Sequence, residues 1–229
     1  MHWLYDPLLS ESSTELSPSE AQHAKSLRLN LGEDVTITNG LGLVAVAKMT
    51  SPNTFEITTV EHIQPLAIKF HLVQALAKSD RDEMALQAAC ELGVSSVTPW
   101  ESARSIVKWD GKSEKNRARW EQIAISAMKQ SQQAHRCEIE PLTKTKDLRP
   151  KGVGLILVPG AQTSIATAID SAKEITLVVG PEGGLPDSEI QQLIDQGFKP
   201  VRLGSSVLRT STAGPAAIAA LQLALGNWD

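Results

Sequence analysis

Two glycine-bearing stretches near the carboxyl end hold the residue types best suited to holding a ligand. Gly180-Pro181-Glu182-Gly183-Gly184 follows the apolar run Ile175–Val179, and a second loop, from Leu203-Gly204 through Val207, Leu208, Arg209 and Thr210, follows the short strand pattern Pro200–Leu203. Glycine lets a ligand approach the main chain closely, so amide N–H groups in such loops can face a bound molecule. A helix pattern opens after each loop. One spans Asp187–Gln196, with Ile190, Leu193 and Ile194 on a stripe and Gly197 as its stop. The other spans Ala213–Leu225, with Ser211 or Thr212 as cap, Pro215 in the first turn and Gly226 as stop. In open α/β sheets, loops leaving the carboxyl ends of strands are where small molecules bind. A glycine turn ahead of a helix also reads as a plain connection, and for the first loop alone the two readings are level. The second loop at this spacing favours one shared cleft.

The elements that must position these loops alternate along residues 66–229. Strand patterns cover Ile68–Leu76, Val94–Pro99 and Leu155–Val158; helix patterns cover Asp82–Leu92, Ser113–Ala134 and Thr163–Ala172. This alternation predicts an α/β domain with a mostly parallel sheet and helices on both faces. Residues 1–65 read differently. A short helix, Ser19–Leu29, precedes alternating strands at Asp34–Thr38, Leu43–Met49 and Thr54–Glu61, which predicts a small β-barrel domain. Gln64-Pro65 is the expected linker, giving domains 1–65 and 66–229.

Charge and composition narrow the function classes. Net charge is −4, which argues against a generally basic nucleic-acid binder. Yet residues 101–151 hold 12 Lys and Arg against 7 Asp and Glu, a local excess of 12 − 7 = +5. A local basic face suits phosphate contact, and on charge alone a solvated surface is an equal reading. Cys90 and Cys137 read as reduced thiols of a cytoplasmic protein, and no Cys/His cluster has metal-ligand spacing. No apolar run approaches the roughly 20 residues of a membrane span, and the first residues lack a signal-peptide core.

The two glycine loops at this separation resemble the SPOUT methyltransferases, and more narrowly the ribosomal RNA small subunit methyltransferase E (RsmE) family. The blocks Leu72–Ser105 and Trp120–Arg136 are similar to that family's, and His23–Gly42 looks like its N-terminal domain. The resemblance implies a C-terminal trefoil knot, a PUA-like RNA-gripping barrel and a homodimer. It implies S-adenosylmethionine as cofactor and N3 methylation of a uridine in 16S ribosomal RNA. Methylation of another RNA such as tRNA, and a non-catalytic RNA-binding role, remain the alternatives. Cofactor contacts are expected from Gly180, Pro181, Glu182, Gly183 and Gly184 on one side. Leu203, Gly204, Val207, Leu208 and Thr210 form the other, and Pro159 and Gly160 close the pocket. For Leu203, Val207 and Leu208, ordinary core packing is an equal reading.

Arg209 is the expected catalytic residue, a planar donor fork beside the cofactor loop that would stabilise the anion or hold a phosphate; an ion pair fixing the knot is its other reading. Glu182 is expected to complement the cofactor's sulfonium, a base being its other reading. Expected RNA contacts are Arg104, Lys108, Lys129 and Arg136 from the basic segment, Lys78 and Arg81 at a strand end, and Lys25 and Arg28 in the first domain. The family pattern commonly has an acid before Gln130 and another after Arg-Thr, where this chain has Lys129 and Ser211.

Overall fold

A computed structural model describes residues 2–169 and 172–228. The chain divides into two compact units, one of residues 1–65 with 125–136, the other of 66–124 with 137–229. No helix among the described residues is long and apolar enough to cross a membrane.

The first unit is built on a four-stranded mixed sheet in the order β1 (His2–Tyr5), β2 (Asp34–Thr38), β3 (Leu43–Met49), β4 (Phe55–His62). β2, β3 and β4 pair antiparallel, and β1 runs parallel to β2. Alternation anticipated the last three. β1 escaped because its one fully inward residue, Leu4, leaves no period to read. Leu4, Ile37, Ala45 and Phe55 form a core closed by Ala24 of α1 (Pro18–Ser26). The returning segment joins at the Asn39–Gly42 turn, where the Gly42 amide donates to the Ala134 carbonyl and the Arg136 amide to the Gly40 carbonyl, at 3.1 and 2.9 Å.

The second unit carries a seven-stranded sheet whose described pairings are all parallel. Its strands are β5 (Lys69–Ala75), β6 (Ser96–Glu101), β7 (Glu138–Ile139), β8 (Thr143–Lys144), β9 (Val153–Leu157), β10 (Glu174–Val179) and β11 (Phe198–Val201). The order is β11-β9-β10-β5-β6-β7, with β8 also paired to β6. Its helices are α2 (Arg81–Glu91), α3 (Ser113–Gln130, which groups with the first unit from Ile125 onward), α4 (Asp187–Asp195) and α5 (Thr210–Ala224). Ile175, Leu177, Val178 and Val179 are all buried, as a parallel strand covered on both faces requires. On one face, Val73, Trp100, Ile156 and Val178 pack with Phe198 beneath Leu193 of α4. On the other, α5 packs on α2, β5 and β10. A Cβ at Gly214 would stand 3.0 Å from Leu72, so glycine is what lets α5 settle this close to the sheet.

Several boundaries depart from expectation. α5 begins at Thr210, so Ser211 and Thr212 lie inside it, Arg209 is the N-cap residue, and Pro215 falls beyond the first turn. α3 stops at Gln130, and Gln132 turns the chain with φ of 57°. The helix expected at 163–172 is a 3-10 turn at Ile165–Thr167; Asp170 and Ser171 lie outside the described residues. β7 and β8 are two residues each, too short to leave a pattern.

Candidate functional site

The loops leaving β9, β10 and β11 meet around one cavity of about 540 Å³. That size falls within the roughly 300–1,000 Å³ of small-molecule sites, and the position beyond the strands' carboxyl ends is the usual one in parallel sheets. Leu157, Val158 and Pro159 line it from β9. Gly180, Pro181, Glu182, Gly184 and Leu185 line it from β10. Leu203, Gly204, Val207, Leu208, Arg209 and Thr210 line it from β11. Of the residues expected to contact a cofactor, only Gly160 and Gly183 fall outside the lining. Asp187, Ile190, Arg202, Ser206 and Ala213 line it without having been anticipated. In the sequence Asp187 and Ile190 carry only a helix pattern, and Ala213 only the start of the last helix.

A buried polar relay ties three of these elements together. Gln74 on β5 is fully buried, and its Nε2 donates to Thr210 Oγ1 at 2.9 Å. Thr210 Oγ1 in turn donates to the Gly180 carbonyl at 2.9 Å. The Thr210 hydroxyl therefore fixes the glycine loop against the start of α5 and is not offered to a ligand. The two glycine loops also differ in what their glycines do. A Cβ at Gly180 would strike Leu185 at 2.9 Å, so that glycine serves packing. A Cβ at Gly204 would meet nothing within 4 Å. Among the described residues, no amide N–H from Leu203 to Arg209 has a hydrogen-bond partner in the chain. Partnerless donors beside a cavity are available to a ligand's acceptors.

The charged groups sort into committed and free. Glu182 is committed. Its Oε1 accepts the Lys78 amide at 3.2 Å and lies 3.6 Å from Arg81 Nη1, which holds the Lys78–Arg81 loop against the glycine loop. That loop carries two successive non-glycine residues in the left-handed region, Ser79 and Asp80, each at φ of 56°. Buried Asp82 anchors it from below by accepting the Ala77 amide at 3.1 Å. Burial pushes the Asp82 carboxyl up from its ordinary range, against the pull of that bond and the Glu83 amide. Arg202 is committed too, its Nη1 donating to the carbonyls of Ala161 and Gln162. Asp187 and Arg209 are exposed at the cavity, and among the described residues neither side chain has a hydrogen-bond or ion-pair partner. Among the described residues Arg209 makes no ion pair, and of the two carboxylates at the cavity Asp187 is without a partner while Glu182 has two.

The family of RNA methyltransferase domains matches residues 64–222. Ribosomal RNA small subunit methyltransferase E of Mycobacterium tuberculosis is 31% identical over 225 residues, covering 92% of this chain and 86% of that one. The chain belongs to the ribosomal RNA small subunit methyltransferase E family. A family structure from Neisseria gonorrhoeae, bound to S-adenosyl methionine, matches with a TM-score of 0.89 at 30% identity over 97% of both chains. A Legionella pneumophila methyltransferase in complex with the cofactor SAM matches with a TM-score of 0.88 at 31% identity over 98% of both.

Three of the cations expected to meet RNA, Lys78, Arg81 and Arg104, lie beside the cavity loops. Arg81 lines the cavity, and Arg104 Nη1 donates to the Gly183 carbonyl at 3.0 Å. Lys78 is exposed, and Lys108 lies over the loop after β6, its Nζ 3.5 Å from the Ser102 carbonyl. In the first unit, Lys25, Arg28 and Arg136 are exposed. Lys129 is the exception: its Nζ is held by both Glu20 oxygens at 3.1 and 3.4 Å, and Glu20 is 6% exposed. The lysine that departs from the family pattern is therefore a structural counter-charge and has no free charge for RNA.

Proposed function

We propose that this chain transfers the methyl group of S-adenosylmethionine to N3 of a uridine in 16S small-subunit ribosomal RNA. The observation that carries the reading is the cavity itself, with partnerless amides from Leu203 to Arg209 on one side and the Gly180–Gly184 loop on the other. Those amides, with apolar walls from Leu157, Val179, Ile190 and Leu203, fit an adenine and its ribose. Asp187 fits the cationic end. Bound there, the cofactor supplies an electrophilic methyl on a sulfonium. The chain's part is positioning and electrostatics. N3 lies on the Watson–Crick edge, so the uridine must be unpaired to reach the cavity rim. Arg209, its side chain exposed and partnerless at that rim, would hold the uracil as its N3 proton passes to water, stabilising the negative charge with its donor fork.

Residues 1–65 act on this reading as a PUA-like barrel that grips RNA, and residues 66–229 as the catalytic domain. A trefoil knot is supported by chain order. β11 lies at the sheet edge while α5 packs on β5 and β10, so residues 202–209 must pass back across the strand ends beside the loop that Arg202 pins. A homodimer is supported by exposed apolar residues near the carboxyl end, Leu223 at 68% and Trp228 at 47%, and a cytoplasmic location by the ribosomal RNA substrate of the proposed reaction.

Titration calorimetry with S-adenosylmethionine tests the cleft, and absence of heat at millimolar cofactor overturns it. Methyl transfer to isolated small subunits, naked ribosomal RNA and tRNA, with mapping of the modified base, tests the acceptor. Label at uridine N3 of the small-subunit RNA is the expected result; label only in tRNA overturns that part.

A further inference from the structure

Ion pairing sorts the basic segment. Arg117 is neutralised by Glu121, Arg119 by Glu83 and Lys151 by Glu140. Lys108, Lys144 and Lys146 are exposed, and among the described residues none has a carboxylate within ion-pair distance. All three line one depression of about 440 Å³ beyond the carboxyl end of β6. The two carboxylates in its lining are already engaged. Glu101 Oε1 accepts the Trp109 amide at 3.0 Å, and buried Glu189 accepts Ser102 Oγ, the Ala103 amide and Thr145 Oγ1 at 2.9, 2.9 and 2.6 Å.

Buried hydrogen bonds tie down the segment that carries Lys144 and Lys146. Thr145, buried between Lys144 and Lys146, bonds Glu189 and also accepts Trp100 Nε1 at 3.1 Å. Three exposed lysines, none of them ion-paired among the described residues, outnumber the two hydrogen-bonded carboxylates of the lining and leave a net positive site for a polyanion. The site is also continuous with the cavity. Ser188 and Glu189 of α4 line the depression while Asp187, the preceding residue, lines the cavity. Arg104, in the loop that carries Lys108, bonds the Gly183 carbonyl at the cavity's edge.

We infer that this lysine depression is a second RNA contact, holding backbone phosphates of the strand whose uridine enters the cavity. The inference rests on the proposed RNA methyltransferase function. Lysines hold phosphate as point charges, so the contact fixes the strand's path and carries no base specificity.

The test is fluorescence anisotropy with a labelled single-stranded RNA of the small-subunit sequence across a potassium chloride series. Lys144→Ala/Lys146→Ala is compared with the wild type and with Lys69→Ala/Lys173→Ala, which removes the same charge at the amino ends of β5 and β10. For single strands each lost phosphate contact lowers the slope of log affinity against log salt by about 0.7, so the depression variant is expected to lose about 1.4. The control pair is expected to keep the wild-type slope, and calorimetry is expected to give unchanged S-adenosylmethionine affinity for both. A wild-type slope in the depression variant, or equal losses in the two pairs, overturns the inference while leaving the methyltransferase reading intact. RNA binding absent from the wild type itself also overturns the inference, while the methyltransferase reading is decided separately by methyl transfer to small subunits.

Discussion

Gln74 Nε2 stands 2.9 Å from Thr210 Oγ1, joining the middle of the sheet to the first residue of α5. Because Thr210 passes the bond to the Gly180 carbonyl, one side chain sets the spacing of both glycine loops. Thr210→Val keeps shape and removes the relay: buried Gln74 Nε2 keeps its 3.1 Å bond to the Ala75 carbonyl but loses its second acceptor, and the Gly180 carbonyl loses the Thr210 donor. A stability loss of about 1–3 kcal/mol is expected in denaturant unfolding. S-adenosylmethionine affinity should fall with it, read by calorimetry. Unchanged affinity would mean that the relay supports the fold and not the cleft.

Arg209 has the opposite profile, since it is exposed and its side chain bonds nothing among the described residues. Arg209→Ala should leave stability within about 0.5 kcal/mol of the wild type. Methyl transfer should drop about 10²–10³-fold, the scale of a lost charge-stabilising donor. Cofactor affinity should stay the same. A rate equal to the wild type would remove Arg209 from the chemistry.

Much of this site could be read before any coordinates. Glycines bracketed by a strand pattern and a helix pattern located both loops, and ten of the twelve expected cofactor residues line the cavity. What the pattern could not carry was commitment. Glu182 and Lys129 look like available charges until Lys78, Arg81 and Glu20 are found beside them, contacts that span 104 and 109 residues for Lys78 and Glu20. Asp187 looked like any acid in the first turn of a helix, because its value lies in having no partner. β1 and the pair β7 and β8 were missed for a plainer reason: strands of two to four residues show no period.

Lys129 yields a prediction confined to the first unit. Its side chain is 17% exposed and that of Glu20 8%, and Glu20 also accepts the Tyr5 amide at 3.2 Å. Lys129→Ala leaves a buried carboxylate without its cation, a change that costs about 3–5 kcal/mol for such pairs. Lys129→Ala with Glu20→Gln should recover part of that loss. Thermal unfolding of the two variants checks the order. A Lys129→Ala protein as stable as the wild type would show that solvent supplies the missing charge.

His71 sets an acid limit. It is buried, its Nδ1 meets Ser96 Oγ at 2.7 Å, and its Nε2 has no hydrogen-bond partner among the described residues. Burial first, then Lys151, holds its pKa below the ordinary 6.5, with Glu174 and Glu140 pulling the other way. The unfolded chain therefore takes up a proton that the native state refuses. Stability is full above pH 6.5 and is lost as pH falls from there through the depressed native value. Denaturant unfolding as a function of pH should show this slope in the wild type and a flatter one in His71→Gln. Parallel profiles would assign the acid sensitivity to other groups.

Asp187 and Glu182 make the sharpest comparison, because both are carboxylates at one cavity and only Asp187 is free. S-adenosylmethionine carries a positive sulfur that S-adenosylhomocysteine lacks, while both carry the same adenosine and amino acid. If Asp187 faces the sulfur, Asp187→Asn weakens the first ligand more than the second. An exposed pair of this kind is worth about 0.2–1 kcal/mol, so the expected change in the affinity ratio is a few-fold. Glu182→Gln should leave that ratio unchanged. Its effect should fall instead on the Lys78–Arg81 loop, read as faster amide hydrogen exchange at Lys78, whose N–H loses a charged acceptor. Equal weakening of both ligands by Asp187→Asn would place this carboxylate at the amino-acid or ribose end of the cleft. No weakening of either would remove it from cofactor recognition and reopen Glu182 as the counter-charge.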